Sequence, residues 1–156
     1  MNPVLESLCD PVAVFTAPAQ TNPSLRILVV EGDPNIRQFS VRVLIRSGYR
    51  VDAAADGQAG WEAVCANNYN LLITDIDMPK LSGLELVKKL LSVRLAPPVI
   101  LASGASAGWD QSLHLAATLP KPFSADQLLE TVRAVLRAPD RDYDRPEPYR
   151  DWGINE

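Results

Sequence analysis

An α/β domain, with a parallel sheet covered by helices on both faces, is the fold class this chain predicts. Three observations carry that reading. The runs Ile27-Leu28-Val29-Val30, Leu71-Leu72-Ile73-Thr74 and Val99-Ile100-Leu101-Ala102 are continuously apolar or β-branched, as strands buried on both faces are. Segments of helical periodicity separate them, giving the order β-α-β-α-β-α-β-α-β-α. Four polar residues, Glu31, Asp75, Ser103 and Lys121, each stand at or just beyond the end of a strand-like run.

Residues 1–24 form an N-terminal extension. Pro3, Pro11, Pro18 and Pro23 argue there against one continuous helix, while Val12-Ala13-Val14-Phe15 suits a short strand. The domain proper spans residues 25–138 and opens on the strand Arg26–Val30. Asp33-Pro34 reads as a helix cap followed by proline at the first helical position. Ile36, Phe39, Ser40, Val43 and Leu44 share one helical face, and Ser47-Gly48 closes the helix. Arg50–Ala54 is the second strand and Asp56-Gly57 a turn. Gln58–Ala66 is a helix with Trp61, Val64 and Cys65 facing inward, and Leu71–Thr74 is the third strand. Ser82-Gly83 opens a helix through Val93 that buries Leu84, Val87, Leu90 and Leu91.

Pro98–Ala102 is the fourth strand, Gly108–Ala116 a short fourth helix, and Thr118-Leu119 a very short fifth strand. Ser124-Ala125-Asp126-Gln127 is a capping box for the last helix, whose apolar positions are Leu128, Leu129, Val132, Val135 and Leu136. Pro139 ends it. Residues 139–156 mix Asp, Arg and Pro with Tyr143, Tyr149 and Trp152, a composition expected of a tail that stays mobile rather than docked.

At 156 residues, with 47% apolar and 22% charged residues, the chain suits one globular domain with short extensions. A net charge of −4 without a basic stripe gives no electrostatic reason to expect a nucleic-acid partner. The apolar stretches are too short to span a bilayer, and Met1-Asn2-Pro3 lacks the positive flank of a secretion signal. No membrane association and a cytoplasmic location are therefore expected. Cys9 and Cys65 lie far apart without metal spacing and read as reduced thiols. His114 reads as a surface residue, and no Ser/His/Asp triad assembles around it.

In an open doubly wound sheet, ligands bind outside the carboxyl ends of the strands, where the strand order reverses. Glu31, Asp75, Ser103 and Lys121 map to that edge, after the first, third, fourth and fifth strands. A carboxylate at the end of a buried strand needs charge, metal or hydrogen bonds to compensate it.

From Ile27-Leu28-Val29-Val30-Glu31, Asp75 with Met78-Pro79 and Gly83-Leu84-Glu85-Leu86, Ser103-Gly104, and Lys121-Pro122-Phe123, residues 25–137 resemble the receiver domains of two-component response regulators. The resemblance implies a flavodoxin-like five-stranded sheet of order 2-1-3-4-5. It implies that Asp75 accepts a phosphoryl group from a sensor histidine kinase or phosphotransfer protein, and that Ser103 and Lys121 engage the phosphoryl oxygens. It also implies Mg²⁺, held by Glu31, Asp75 and the backbone carbonyl of Asp77. The downstream partner would be a protein, contacted through the fourth helix, fifth strand and last helix, a face that also admits a homodimer. Such a domain is not an enzyme beyond its own phosphorylation and dephosphorylation. The chemistry agrees: phosphoryl transfer to a carboxylate needs cations to neutralise the spreading charge. Magnesium prefers hard oxygen ligands.

Two departures from the family pattern stand out. Two adjacent acids usually follow the first strand, whereas this chain reads Glu31-Gly32-Asp33, with Gly32 at the position of the direct metal ligand. Weakened Mg²⁺ binding follows, with Asp33, expected to cap a helix, or Asp77 as substitute ligand. Glycine also relieves like-charge repulsion around Asp75, an opposing effect that ligand loss outweighs. The interval from Ser103 to Lys121 is short, and Thr118 stands where an aromatic switch residue is common. Lys121-Pro122 often carries a cis peptide in this family. Only residues 138–156 follow the last helix, so output through protein contacts is expected of a stand-alone receiver. Two alternatives compete: a pseudo-receiver interaction module, motivated by Gly32, and a small phosphohydrolase. The latter rests on Asp75-Ile76-Asp77, which resembles the Asp-x-Asp signature of haloacid dehalogenase-like enzymes.

Overall fold

The structure, a computed structural model, describes residues 25–104 and 113–137. In chain order the elements are β1 (Arg26–Val30), α1 (Pro34–Arg46), β2 (Arg50–Ala54), α2 (Gly57–Ala66), β3 (Leu71–Asp75), α3 (Gly83–Ser92), β4 (Val99–Ser103), β5 (Ala117–Pro120) and α4 (Ala125–Arg137). All strand pairs are parallel, in the order β2-β1-β3-β4-β5, as the resemblance implies. The chain passes from β1 outward to β2 and then crosses back to β3. The reversal of direction therefore falls between β1 and β3.

Strand alternation divides the apolar residues between two cores. Ile27, Val29, Leu71, Ile73, Ile100, Ala102 and Leu119 face Leu44 of α1 and Leu128 and Val132 of α4. Leu28, Val30, Leu72 and Val99 face the other way, onto Val64 of α2 and Leu86, Val87 and Leu90 of α3. A continuous apolar run is what a strand covered on both sides requires.

The caps form as their residue types demand. The Asp33 carboxylate accepts from the Asn35 and Ile36 N–H groups, and Pro34 opens α1 without a wasted donor. Ser82 with Glu85, and Ser124 with Gln127, close reciprocal capping boxes on α3 and α4.

Several expectations are corrected. Cys65 is exposed, because Gly60 and Val64 define the inward line of α2 and Cys65 lies about 100° round the helix from Val64. On α3 the fully buried positions are Leu86, Val87 and Leu90; Leu91 falls on the solvent side and Leu84 is half-buried. Phe39 is 39% exposed and packs at the rim against Phe123, with ring centroids 6.3 Å apart and the rings tilted by 44°. The expected helix over 108–116 does not extend through its last residues. His114 takes a left-handed backbone (φ 52°), and the Ala116 N–H already donates to the Val99 carbonyl, so the ladder of β5 begins there. Residues 108–112 of that helix lie outside the described residues. So do the N-terminal extension with its Val12–Phe15 strand, Cys9, and the tail with Tyr143, Tyr149 and Trp152.

Candidate functional site

Glu31 follows the buried end of β1 and is itself only 4% exposed. Its N–H donates to the Ala54 carbonyl at 3.0 Å, which continues the ladder one residue past the strand. Its carbonyl accepts from Arg37 Nη1 at 2.8 Å. Of the side-chain oxygens, Oε2 accepts the Asp33 N–H at 3.0 Å and Oε1 meets Lys121 Nζ at 2.9 Å. Asp75 ends β3 in register with Ala102, and its Oδ1 lies 3.1 Å from the same Lys121 Nζ. Ser103 ends β4, buried, and its carbonyl accepts the Lys121 N–H at 2.8 Å. The Lys121-Pro122 peptide is cis.

The loop after β3 is pinned from two sides. Gly83 packs so closely on the Asp75 carbonyl that a Cβ would collide with it, and its N–H donates to the Ile76 carbonyl at 2.8 Å. Lys80, with a left-handed backbone, reaches within 3.7 Å of Asp56, the N-cap of α2.

Burial pushes the Glu31 carboxyl above its ordinary value, against the opposing pull of the Asp33 N–H and of Lys121. For Lys121, burial works to lower the ammonium pKa, but hydrogen bonds to Glu31 and Asp75 outweigh it and raise the net value. The lysine is therefore cationic at neutral pH, a positive charge held between two acids.

The structure thus brings Glu31, Asp75 and Lys121 together and places Ser103 on the adjoining strand end. Asp33 and Asp77 are not part of that group: Asp33 is engaged in capping α1, and Asp77 is exposed in the turn beyond β3. Arg37 and Gly83 support the site although neither is legible as a site residue in the sequence. Arg37 acts on a backbone carbonyl, and Gly83 acts by lacking a side chain, so no pairing of residue types announces either.

The donor set does not complete a divalent-metal site of the pattern that two adjacent acids would give. Gly32 supplies no side-chain oxygen, and both oxygens of Glu31 are already engaged. Among the described residues no group of three or more His, Cys, Asp or Glu is placed to hold a metal ion. The glycine is not imposed by the backbone. A Cβ at position 32 would meet Met78, the Ala55 carbonyl and Pro79 at 3.7–3.9 Å, ordinary van der Waals contact.

Comparison with known proteins places these observations in a family. The model of the response regulator receiver domain matches residues 27–133. The transcriptional regulatory protein DltR of Streptococcus agalactiae is 37% identical over 117 residues, covering 72% of this chain and 52% of that protein. The response regulator ArlR of Staphylococcus haemolyticus is 34% identical over 115 residues, covering 71% and 52%. The chain spans about half the length of the curated relatives it matches. Among solved structures, the response regulator protein TrrA of Thermotoga maritima in complex with Mg(2+)-BeF is 34% identical. Its TM-score is 0.66, over 71% of this chain and 98% of that one. The chemotaxis response regulator CheY4 of Vibrio cholerae is 27% identical with the same TM-score, over 72% and 99%. With the strand order, the grouped strand-end residues and these matches in agreement, the chain belongs to the response regulator receiver domain family.

Proposed function

We propose that this chain is a phosphoacceptor switch in a two-component phosphorelay, with Asp75 taking a phosphoryl group from a histidine kinase or phosphotransfer protein. One observation carries the reading: the Lys121 ammonium lies within 3.1 Å of Asp75 Oδ1, although the two residues come from strand ends far apart in sequence. As a carboxylate oxygen of Asp75 bonds to phosphorus and the histidine nitrogen leaves, negative charge spreads over the equatorial phosphoryl oxygens. Lys121, close by and already cationic, is positioned to neutralise it, and Ser103 supplies a hydroxyl at the neighbouring strand end. Drawing that hydroxyl toward the phosphoryl group shifts the segment behind β4, so a local charge event biases a wider surface. In this reading Mg²⁺ would have only Glu31, Asp75 and the Asp77 carbonyl to hold it, and would supply further charge to neutralise the phosphoryl oxygens.

Output from the receiver (residues 25–138) passes through protein contacts on the β5 and α4 side, in a cytoplasmic setting. The net charge of −4 supports a protein partner over nucleic acid. Among the described residues no helix is long and apolar enough to cross a membrane.

A second reading is favoured by Gly32. Because a Cβ at that position would meet no clash, the missing ligand is not a backbone requirement. In that reading the domain is a pseudo-receiver that binds partners without being phosphorylated. The phosphohydrolase reading gains nothing, since Asp77 is exposed outside the acid–lysine group.

Intact-mass measurement after incubation with acetyl phosphate and Mg²⁺ decides between them. The phosphoacceptor reading expects one phosphoryl adduct on the native chain and none on Asp75→Asn. No adduct on the native chain, with one on Gly32→Asp, establishes the pseudo-receiver instead.

A further inference from the structure

We infer that Lys121 is the resident counter-cation of this acidic pocket, and that Gly32 leaves a divalent ion too few ligands to displace it. The resting site is thus lysine-locked instead of metal-loaded. The inference rests on the reading of the pocket as a phosphoacceptor site and names what neutralises that pocket before any phosphoryl group arrives.

Three features of the geometry lead there. First, one ammonium bridges both strand-end acids, at 2.9 Å from Glu31 and 3.1 Å from Asp75, in a setting where all three side chains are largely buried. Second, the second oxygen of Glu31 is held by the Asp33 N–H, so Glu31 turns to a new ligand only by giving up a bond, and the Asp33 carboxylate is tied through Oδ1 to two N–H groups at the start of α1. Third, position 32 brings no oxygen, although a Cβ there would meet only ordinary van der Waals contacts. A divalent ion entering this pocket must therefore compete with a tethered ammonium for two carboxylates. Magnesium, which dehydrates reluctantly and demands near-octahedral oxygen geometry, is poorly suited to that competition.

Two substitutions should each reverse the balance by a different route. Gly32→Asp adds a ligand. Lys121→Met removes the competitor and leaves two acids facing each other without a cation. Melting curves of the full chain, recorded with chelator and across a MgCl₂ series against NaCl of matched ionic strength, read the outcome without depending on phosphorylation. The native melting temperature is expected to be indifferent to Mg²⁺. Gly32→Asp is expected to rise with Mg²⁺, with a midpoint about tenfold or more below any native response. Lys121→Met is expected to melt lower than the native chain in chelator and to recover with Mg²⁺. Native stabilisation by Mg²⁺ at the concentrations that serve Gly32→Asp overturns the inference, as does a folded Lys121→Met that ignores the metal. Should Lys121→Met not fold, the native and Gly32→Asp pair still decides. The phosphoacceptor reading fails separately, by the absence of an adduct on Asp75.

Discussion

Tyr69 closes a small polar cluster near the amino ends of β1 and β3, away from the acidic pocket. Its hydroxyl donates to Asp52 Oδ2 at 2.6 Å, and Arg26 Nη2 donates to the same oxygen at 2.8 Å. The Arg26 guanidinium also lies 5.1 Å from the centre of the Tyr69 ring. Burial, and then the Asp52 carboxylate, push the Tyr69 phenol from 10.0 up to about 12. Because the folded value lies above the unfolded one, the associated stability is full below about pH 10. It is lost as pH rises through about 12. In an absorbance titration of the phenolate band, the late-titrating component of the native chain that belongs to Tyr69 should be missing from Tyr69→Phe. That variant should also lose about 1 kcal/mol of stability at neutral pH, measured by urea unfolding, as one hydrogen bond is removed.

Helix starts and the turns before them hold the site residues on target. Asp33 satisfies two of the orphan donors of α1 while its own N–H fixes Glu31, so cap and site share one turn. Asp33→Ala should cost about 1 kcal/mol of unfolding free energy, whereas Asp33→Asn, an equally good cap, should cost little. Denaturant titration of both variants checks the cap independently of any metal. At the start of α3 the constraint is steric. A Cβ at Gly83 would run into the Asp75 carbonyl, so Gly83→Ala must shift either the loop or the helix. The expected loss is about 2–3 kcal/mol, read from the denaturation midpoint, together with slower formation of any Asp75 adduct.

At the scale of the whole molecule, α4 seals one of the two cores while the residue four positions before it carries the ammonium. Leu128 is fully buried against the strands, and Leu128→Ala should destabilise the chain by about 3 kcal/mol with a single cooperative transition in urea. The architecture was legible because the three central strands read as unbroken apolar runs, a pattern that only two-sided burial explains. Helix phase was less legible. Cys65 and Leu91 look apolar enough to be inside, but a rotation of 100° per residue decides, and their neighbours Val64 and Leu90 hold the inward positions. The grouping of Glu31, Asp75 and Lys121 could be read only through topology, since nothing local links residues so far apart. Arg37 could not be read at all, because its acceptor is a main-chain oxygen.

The division of alternate strand residues between two oily layers has a consequence for the chemistry. Sliding β1 by one place against β3 would send Ile27 and Val29 into the compartment shaped for Leu28 and Val30. The same slip would carry Glu31 off the mark that Lys121 needs. Packing and reactivity thus share one vernier: a chain threaded a notch wrong is both loose and inert, and a chain able to react has already been proofread by its own interior.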